Sequence, residues 1–317
     1  MITRRRAAIA ADSLGLFART VARHGRPRLL LTFAGGLGDQ LLCTAVLREL
    51  RQRGGRGLWM MSGHADLFSG SGDLDALVPV NQHLVRLARA VGAQVIEPRY
   101  ASYDPAEDRD HIPVGKHIIT VMCELAGLRG EIALRPYVKL GEQEQAAGRY
   151  GPDQIVLQSS GLSARYPMRN KEWLPERMQQ VADALAGQYT LIQIGAASDP
   201  PITGAHDLRG SSLRRSAAAL SQAQLLIGLV GFPMHLARAV NCRSVIVYGG
   251  RENPAQSGYV CNEHVYNQVP CAPCWKQNDC PYDRRCMREI SVEMVLAAVQ
   301  RALLRASEPL ATALATI

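Results

Sequence analysis

No run of about 18 consecutive apolar residues occurs in the 317-residue sequence, so nothing in it reads as a membrane span. The basic start MITRRR would suit the head of a secretory leader, yet Asp12, Arg19 and Arg23 interrupt the stretch behind it and leave no apolar core. Residues 7–22 read instead as a short amphipathic helix, with Ile9, Leu14, Leu16, Phe17 and Val21, that packs on the protein body. The expectation is a cytoplasmic protein, in a compartment that disfavours disulfides. Two nucleotide signatures are also missing: the dinucleotide fingerprint and a P-loop lysine. Acidic residues are in the minority, 28 against 36 Lys and Arg, which gives a formal net charge of +8. That balance favours anionic partners such as nucleotides, phosphorylated glycans, an acidic membrane surface or nucleic acid. The basic residues are scattered, with short clusters at Arg4–Arg6 and Arg284–Arg288, so a solvated basic surface is the plain reading.

What is present is an alternation of apolar runs and helix-like segments. A chain of this length suggests two domains, at about 100–200 residues each. RLLLTF (28–33) reads as a buried strand, followed by a glycine turn and a helix over 39–53. Residues 58–61, 76–80 and 94–97 read as further strands, with a helical segment before the last, and 114–128 as a helix. Residues 98–114 hold four acidic residues and three prolines without periodicity, and read as a loop. GEQEQAAGRYGPD (141–153) is polar and glycine-rich, an interdomain linker. A second series follows: strands over 154–158, 190–194, 225–229 and 244–248, helices over 175–186, 212–221 and 233–240, and a closing helix over 291–304 capped by Ser291. Strands alternating with helices argue for two parallel sheets in tandem, each covered on both faces. The expected division is a helical extension (1–27), an N-terminal Rossmann-like domain (28–145), a C-terminal one (146–306) and a frayed tail (307–317).

Cys271, Cys274, Cys280 and Cys286 fall within sixteen residues. Cys-x-x-Cys places two sulfurs on one side of a tight loop, and the later pair can complete a tetrahedron around a structural metal. Two disulfides or four reduced thiols are the alternatives. The loop lies after the alternating series, so it reads as a staple, with the chemistry elsewhere.

Gly35-Gly36-Leu37-Gly38-Asp39 joins a strand to a helix N-terminus, where backbone N–H groups can approach an anion; Asp39 reads equally as a helix-start acid. Asn170-Lys171-Glu172-Trp173-Leu174-Pro175 precedes a helix, and GLVGFPMH (228–235) runs from a strand into one. A lysine and a helix terminus facing one cleft suit a diphosphate leaving group. The plain alternatives are a solvated Lys171 and a His235 used for packing.

Together LLLTFAGGLGDQLLCTAVLREL, NKEWLPERM, LIQIGAASD, DLRGSSLRRSAAAL, LLIGLVGFPMHLARAV, SVIVYGG and CAPCW…CPYDRRCMREIS resemble, in order, glycosyltransferase family nine, the lipopolysaccharide heptosyltransferases. The likeness spans residues 28–305 and is weak over 81–135. It implies a GT-B architecture, two Rossmann-like domains facing across a cleft, with the donor mainly on the C-terminal domain and the acceptor on the N-terminal one. It implies inverting transfer without a catalytic metal, from a nucleotide-diphosphate sugar of the ADP-heptose kind. Relatives acting on autotransporter proteins carry iron on a similar four-cysteine motif, which sets iron beside zinc.

Position by position, the resemblance makes Asp39 the general base, behind the turn of Gly36 and Gly38. It puts Lys171 on the donor phosphates, Ser159 and Ser160 close by, and Arg209 and Ser211 in the segment lining the nucleotide base. Pro233, Met234 and His235 match a turn whose N–H groups face the donor. The family's acid-hydroxyl pair before that turn is replaced by Val230 and Gly231. The acceptor would be an anionic glycan, a lipid-linked sugar or a protein, with peripheral contact at the inner membrane left open. Two rival readings are an inactive member serving as a binding scaffold and a zinc-ribbon-like nucleic-acid binder. The second is disfavoured because only one Cys-x-x-Cys knuckle is present.

Overall fold

Leu29, Leu30 and Leu31 are all buried, yet they serve two different cores. Leu29 and Leu31 join one hydrophobic cluster and Leu30 another, because successive side chains of a strand point to opposite faces. A strand apolar on both faces belongs inside a parallel sheet covered on both sides. The structure, a computed structural model, describes residues 2–33 and 35–317, with side chains from residue 11 onward. The side chains of Arg4–Arg6 and Ile9 therefore lie outside what is described.

The first half comprises α1 (Ile2–His24), β1 (Leu29–Thr32), α2 (Leu37–Gln52), β2 (Leu58–Met61), β3 (Ala76–Val78), α3 (Gln82–Ala90) and β4 (Gln94–Ile96). Its strands form a parallel sheet in the order β3-β2-β1-β4. α1 packs on it through Phe17, whose ring lies 5.5 Å from that of Trp59, while Leu14 stays exposed. No helix among the described residues is long and apolar enough to cross a membrane. Next come β5 (Ser102–Asp104), β6 (Arg109–His111), α4 (Ile118–Leu125), β7 (Glu131–Ala133) and α5 (Glu142–Ala147).

The second half runs β8 (Gln154–Leu157), α6 (Pro175–Leu185), β9 (Thr190–Gln193), β10 (His206–Asp207), α7 (Leu213–Ser221), β11 (Leu225–Leu229), α8 (Phe232–Ala239) and β12 (Ser244–Gly249). It ends with α9 (Pro254–Ser257), β13 (Glu263–Tyr266), α10 (Arg285–Arg288), α11 (Val292–Leu304) and β14 (Leu314–Thr316). Six parallel strands are ordered β10-β9-β8-β11-β12-β13, the doubly wound order of a Rossmann sheet. In such sheets ligands bind beyond the carboxyl ends of the strands, where the order reverses. The reversals fall between β1 and β4 in the first sheet and between β8 and β11 in the second. One face of each sheet feeds a single apolar core that includes Leu41 and Leu42 of α2 and Met234 and Leu236 of α8.

Four segments differ from the sequence reading. Residues 98–114, expected as a loop, contain the β5–β6 hairpin; its strands are polar and lack the alternation that marks a half-buried strand. The 141–153 linker contains α5, held to α7 by the ion pair of Glu144 with Arg214. The tail does not fray: β14 pairs antiparallel with β7, and Ala311 and Thr312 accept hydrogen bonds from the fully buried Arg238 of α8. The helix expected from 114 begins at Ile118, where the ring of His117 accepts the Ile119 N–H at 3.2 Å.

Candidate functional site

A cleft of about 490 Å³ opens between the two sheets at their carboxyl ends. Its N-terminal wall carries Asp39 and Tyr100, which follow the two strands that flank the first reversal. Its C-terminal wall carries Lys171, which follows β8, and Gly231 and His235, which follow β11. Topology thus brings together residues that are about sixty to two hundred positions apart, as the switch-point rule requires.

α2 and α8 pack together beneath this cleft, close enough that a Cβ on Gly38 would be in van der Waals contact with the Cα of Phe232 at 3.6 Å and the His235 ring at 3.5 Å. Gly231, the residue before α8, has φ of 154°, a conformation that side-chain-bearing residues rarely adopt, and no side chain caps the helix. Gly231 lines the cleft, so the N-terminus of α8 starts uncapped at its wall, a place suited to an anion, with Phe232 and Met234 carrying the early N–H groups because Pro233 has none.

Asp39 is the third residue of α2, and its Oδ2 accepts the Gly36 N–H at 2.7 Å. Its Oδ1 accepts the Tyr100 hydroxyl at 2.7 Å. Burial raises the Asp39 pKa, while these two hydrogen bonds and the Lys171 charge pull it down. The result is a carboxyl more basic than a surface aspartate and held at both oxygens. Asp39 is thus the helix-start acid of α2, and its carboxyl also lines the cleft.

Each residue of Asn170–Trp173 does something different. Asn170 donates its amide to the carbonyls of Lys276 and Asp279, at 3.1 and 3.2 Å, and its backbone N–H to Gln277 at 3.0 Å. Lys171 enters the cleft and pairs with Glu252 at 2.5 Å. Glu172 turns away to accept the Gly161 N–H at 3.0 Å, and the buried Trp173 donates to Ile290 at 3.1 Å. Glu252 sits between Lys171 and Arg251, 2.5 Å from each, and its other oxygen accepts the Ser257 hydroxyl at 2.8 Å. Burial alone would raise Glu252, but the two cations outweigh it and hold the carboxyl at about 2. Arg251 also pairs with Asp110 of β6 and lies over the Trp275 ring, 5.4 Å from its centroid.

The cysteine segment is wedged between the Lys171 turn and the β5–β6 hairpin. Asp108 accepts the N–H groups of Asn278 and Asp279 at 2.6 Å each, and Asp110 donates its N–H to Trp275 at 3.0 Å. Trp275 and Gln277 thereby become part of the cleft wall. The four thiols are unbridged; burial raises Cys274 and Cys286, and the neighbouring cysteine charges raise them further. Such a group favours a cation, and four thiolates fit zinc or iron. Among the described residues, however, only Asp104, Glu107 and His111 bring three ligand atoms within 4.8 Å of one another. No three of the described sulfurs thus lie within 4.8 Å of one another, against the roughly 3.8 Å that separates ligands around a tetrahedral zinc.

Of the residues named from sequence, Gly36, Asp39, Lys171 and His235 line the cleft together. Ser159 and Ser160 are buried: the Ser159 hydroxyl donates to Pro200 at 2.6 Å, and Ser160 accepts the Leu162 N–H at 3.1 Å. Arg209 is held by Asp207 and the Asp199 carbonyl, and Ser211 lies 3.4 Å from the Ser216 hydroxyl; neither reaches the cleft. Met234 is core, touched by the Tyr248 hydroxyl, and Pro233 is the second residue of α8. Sequence reasoning missed Tyr100, Asp110, Arg251, Glu252 and Trp275. The one available signal was Gly249-Gly250-Arg251-Glu252, at the carboxyl end of β12.

No known family's sequence profile and no curated protein matches this sequence. Solved structures do. The glycosyltransferase family 9 protein from Veillonella parvula superposes with a TM-score of 0.65 at 17% identity, covering 88% of this chain and 98% of its own. The ADP-heptose lipopolysaccharide heptosyltransferase II of E. coli gives 0.65 at 14%, with 88% and 99% covered. The iron-containing dodecameric glycosyltransferase TibC of enterotoxigenic E. coli gives 0.65 at 16%, with 87% and 78% covered. The fold is GT-B. At these identities the likeness speaks for architecture, and chemistry must be argued from the cleft.

Two buried histidines, His117 and His235, and the half-buried His264 set an acid limit on stability. Burial lowers His117 and His264 to about 4 and His235 to about 3. Unfolded, each would take up a proton near pH 6.5. Between those values the unfolded chain binds more protons, so stability is complete above about pH 6.5 and falls as pH drops toward 4. Glu252 acts in the same direction lower down, while the raised carboxyls of Asp39 and Glu172 oppose it. The urea midpoint should be lower at pH 5.5 than at pH 7; an equal or higher midpoint at pH 5.5 would contradict neutral burial of these rings.

Proposed function

We propose that this protein is an inverting glycosyltransferase that moves a sugar from a nucleotide-diphosphate donor to an acceptor hydroxyl. The observation that supports it most strongly is the placement of Asp39 and Lys171 on opposite walls of one cleft, each beyond a sheet reversal. The donor diphosphate lies against Lys171 and the open N-terminus of α8, where a cation and unpaired N–H groups favour it. The acceptor oxygen attacks the anomeric carbon from the Asp39 side as the bond to the diphosphate breaks. The hydroxyl proton passes to Asp39, and the leaving oxygen keeps the bonding pair, its charge stabilised by Lys171.

The donor is of the ADP-heptose kind, a reading supported by the bound ADP-D-β-D-heptose named for TibC. Val230 puts an apolar wall in the cleft, so any polar contact to the sugar comes from other side chains. The acceptor is a glycan or a protein hydroxyl, for which the net charge of +8 favours an anionic partner.

In this reading Cys271, Cys274, Cys280 and Cys286 would hold one structural zinc or iron, which would supply a cross-link and no step of the transfer. The segment they belong to carries Trp275 and anchors Asn170, beside the turn bearing Lys171. Metal analysis of the purified protein should give about one zinc or iron per chain. Cys274→Ser should lower both metal content and thermal stability. Protein free of metal and as stable as its Cys274→Ser variant would remove the ion from this account.

Asp39→Asn tests the chemistry. Donor turnover, with water standing in for the acceptor where needed, should fall about 10²–10⁴-fold, while nucleoside diphosphate affinity stays within a factor of a few. Turnover at the wild-type rate would leave Asp39 as a helix-start acid only. The asparagine also offers an N–H to one of two fixed donors, Gly36 or Tyr100, so a modest fall in melting temperature should accompany the loss.

A further inference from the structure

Tyr100 follows β4, the strand beside β1, and reaches across the first sheet's reversal to Asp39. Its hydroxyl is 2.7 Å from Oδ1, while the Gly36 N–H is 2.7 Å from Oδ2. A backbone N–H can only donate, so Oδ2 must accept. With the carboxyl ionised, the tyrosine also donates, and two donors on different oxygens fix the carboxylate plane. With the carboxyl protonated, the proton must sit on Oδ1 and the tyrosine bond must reverse.

We propose that Tyr100 is the positioning residue for Asp39: its hydroxyl holds the carboxylate ionised and aimed into the cleft, and so sets the pH above which the base works. This rests on Asp39 acting as the base, and it goes further by assigning a role to a segment that the motifs leave blank.

The surroundings leave this task to Tyr100. Facing Asp39 from other elements are Lys171, already paired with Glu252, and the neutral ring of His235; Cys43 on its own helix is a buried thiol. Asp110 and Arg251 neutralise one another farther along the wall. Among the described residues no cation hydrogen-bonds the Asp39 carboxyl, so two neutral donors must offset its burial. Of these donors, the tyrosine bond does more to lower the pKa than the Gly36 bond. The proximity also keeps Tyr100 itself protonated, because burial and the adjacent carboxylate both raise it. It remains a donor at every working pH.

The test compares wild type, Tyr100→Phe and Asp39→Asn in two measurements. The first is a carbon NMR titration of carboxyl-labelled aspartate, with the Asp39 signal assigned by its loss in Asp39→Asn. The second is the pH profile of donor turnover. Tyr100→Phe should move the Asp39 titration and the acid limb of the profile upward together by about one pH unit or more, the usual worth of a hydrogen bond to a charged group. Turnover should recover at high pH. An unmoved Asp39 titration, or a rate loss equal at all pH, would overturn the proposal and leave Tyr100 a packing residue. Full turnover in Asp39→Asn would instead overturn the reading of Asp39 as base, whatever Tyr100→Phe does to its titration. Should the phenylalanine variant fail to fold, replacing Tyr100 by 3-fluorotyrosine, a stronger donor of nearly the same shape, should move both values downward. A shift upward, or none, would again overturn the role.

Discussion

Arg251 carries a full positive charge where water barely reaches it, and the cleft is assembled around that charge. A guanidinium buried without partners costs several kcal/mol, so it must be met by carboxylates and carbonyls. It is met from both halves of the molecule: Glu252 beside it, Asp110 from the β5–β6 hairpin, and the Lys276 carbonyl at 3.0 Å, with the Trp275 ring against its face. Because Asp110 comes from the first half, the charge balance of the second half is complete only when the hairpin is docked. Glu252 in turn holds Lys171. One buried cation thus connects domain docking, the cysteine segment and the lysine that faces the cleft.

The same logic of unmet polar groups explains where the cleft lies. Parallel sheets direct the carboxyl ends of their strands to one edge, and each reversal of strand order leaves a crevice. Two such crevices face one another here, each with a helix starting at its rim. α2 ends its N-terminus on its own Asp39, which returns to cap Gly36, whereas α8 has no side-chain cap. One wall therefore presents a carboxylate and the other presents free N–H groups and a lysine. That asymmetry gives the two sides unlike tasks, proton acceptance on one and anion binding on the other.

Much of the architecture was legible in the sequence because it rests on burial. Runs such as RLLLTF and LLIGL are apolar throughout, as strands covered on both faces must be, and the helices between them carry one apolar side. The β5–β6 hairpin was not legible: its pairs Ser102–His111, Tyr103–Asp110 and Asp104–Arg109 are polar, and it is held by the cysteine segment rather than by an apolar face. β14 was missed for a related reason, since three residues at a chain end acquire their meaning from a partner strand far away. Within the site, Asp39 and Lys171 were readable from local motifs, but Tyr100, Arg251 and Glu252 act through pairings that sequence spacing does not reveal. Arg209 and Ser211 show the converse, polar residues in a suggestive segment whose partners are their own neighbours.

The central claim is that the cleft between the sheets binds a nucleoside diphosphate by its C-terminal wall. A crystal structure of the protein with ADP tests it most directly. The account expects the diphosphate within hydrogen-bonding distance of Lys171 Nζ and the first N–H groups of α8, with the terminal phosphate directed toward Asp39. A diphosphate bound away from both Lys171 and Gly231, in a crystal whose cleft is open to solvent, would contradict it.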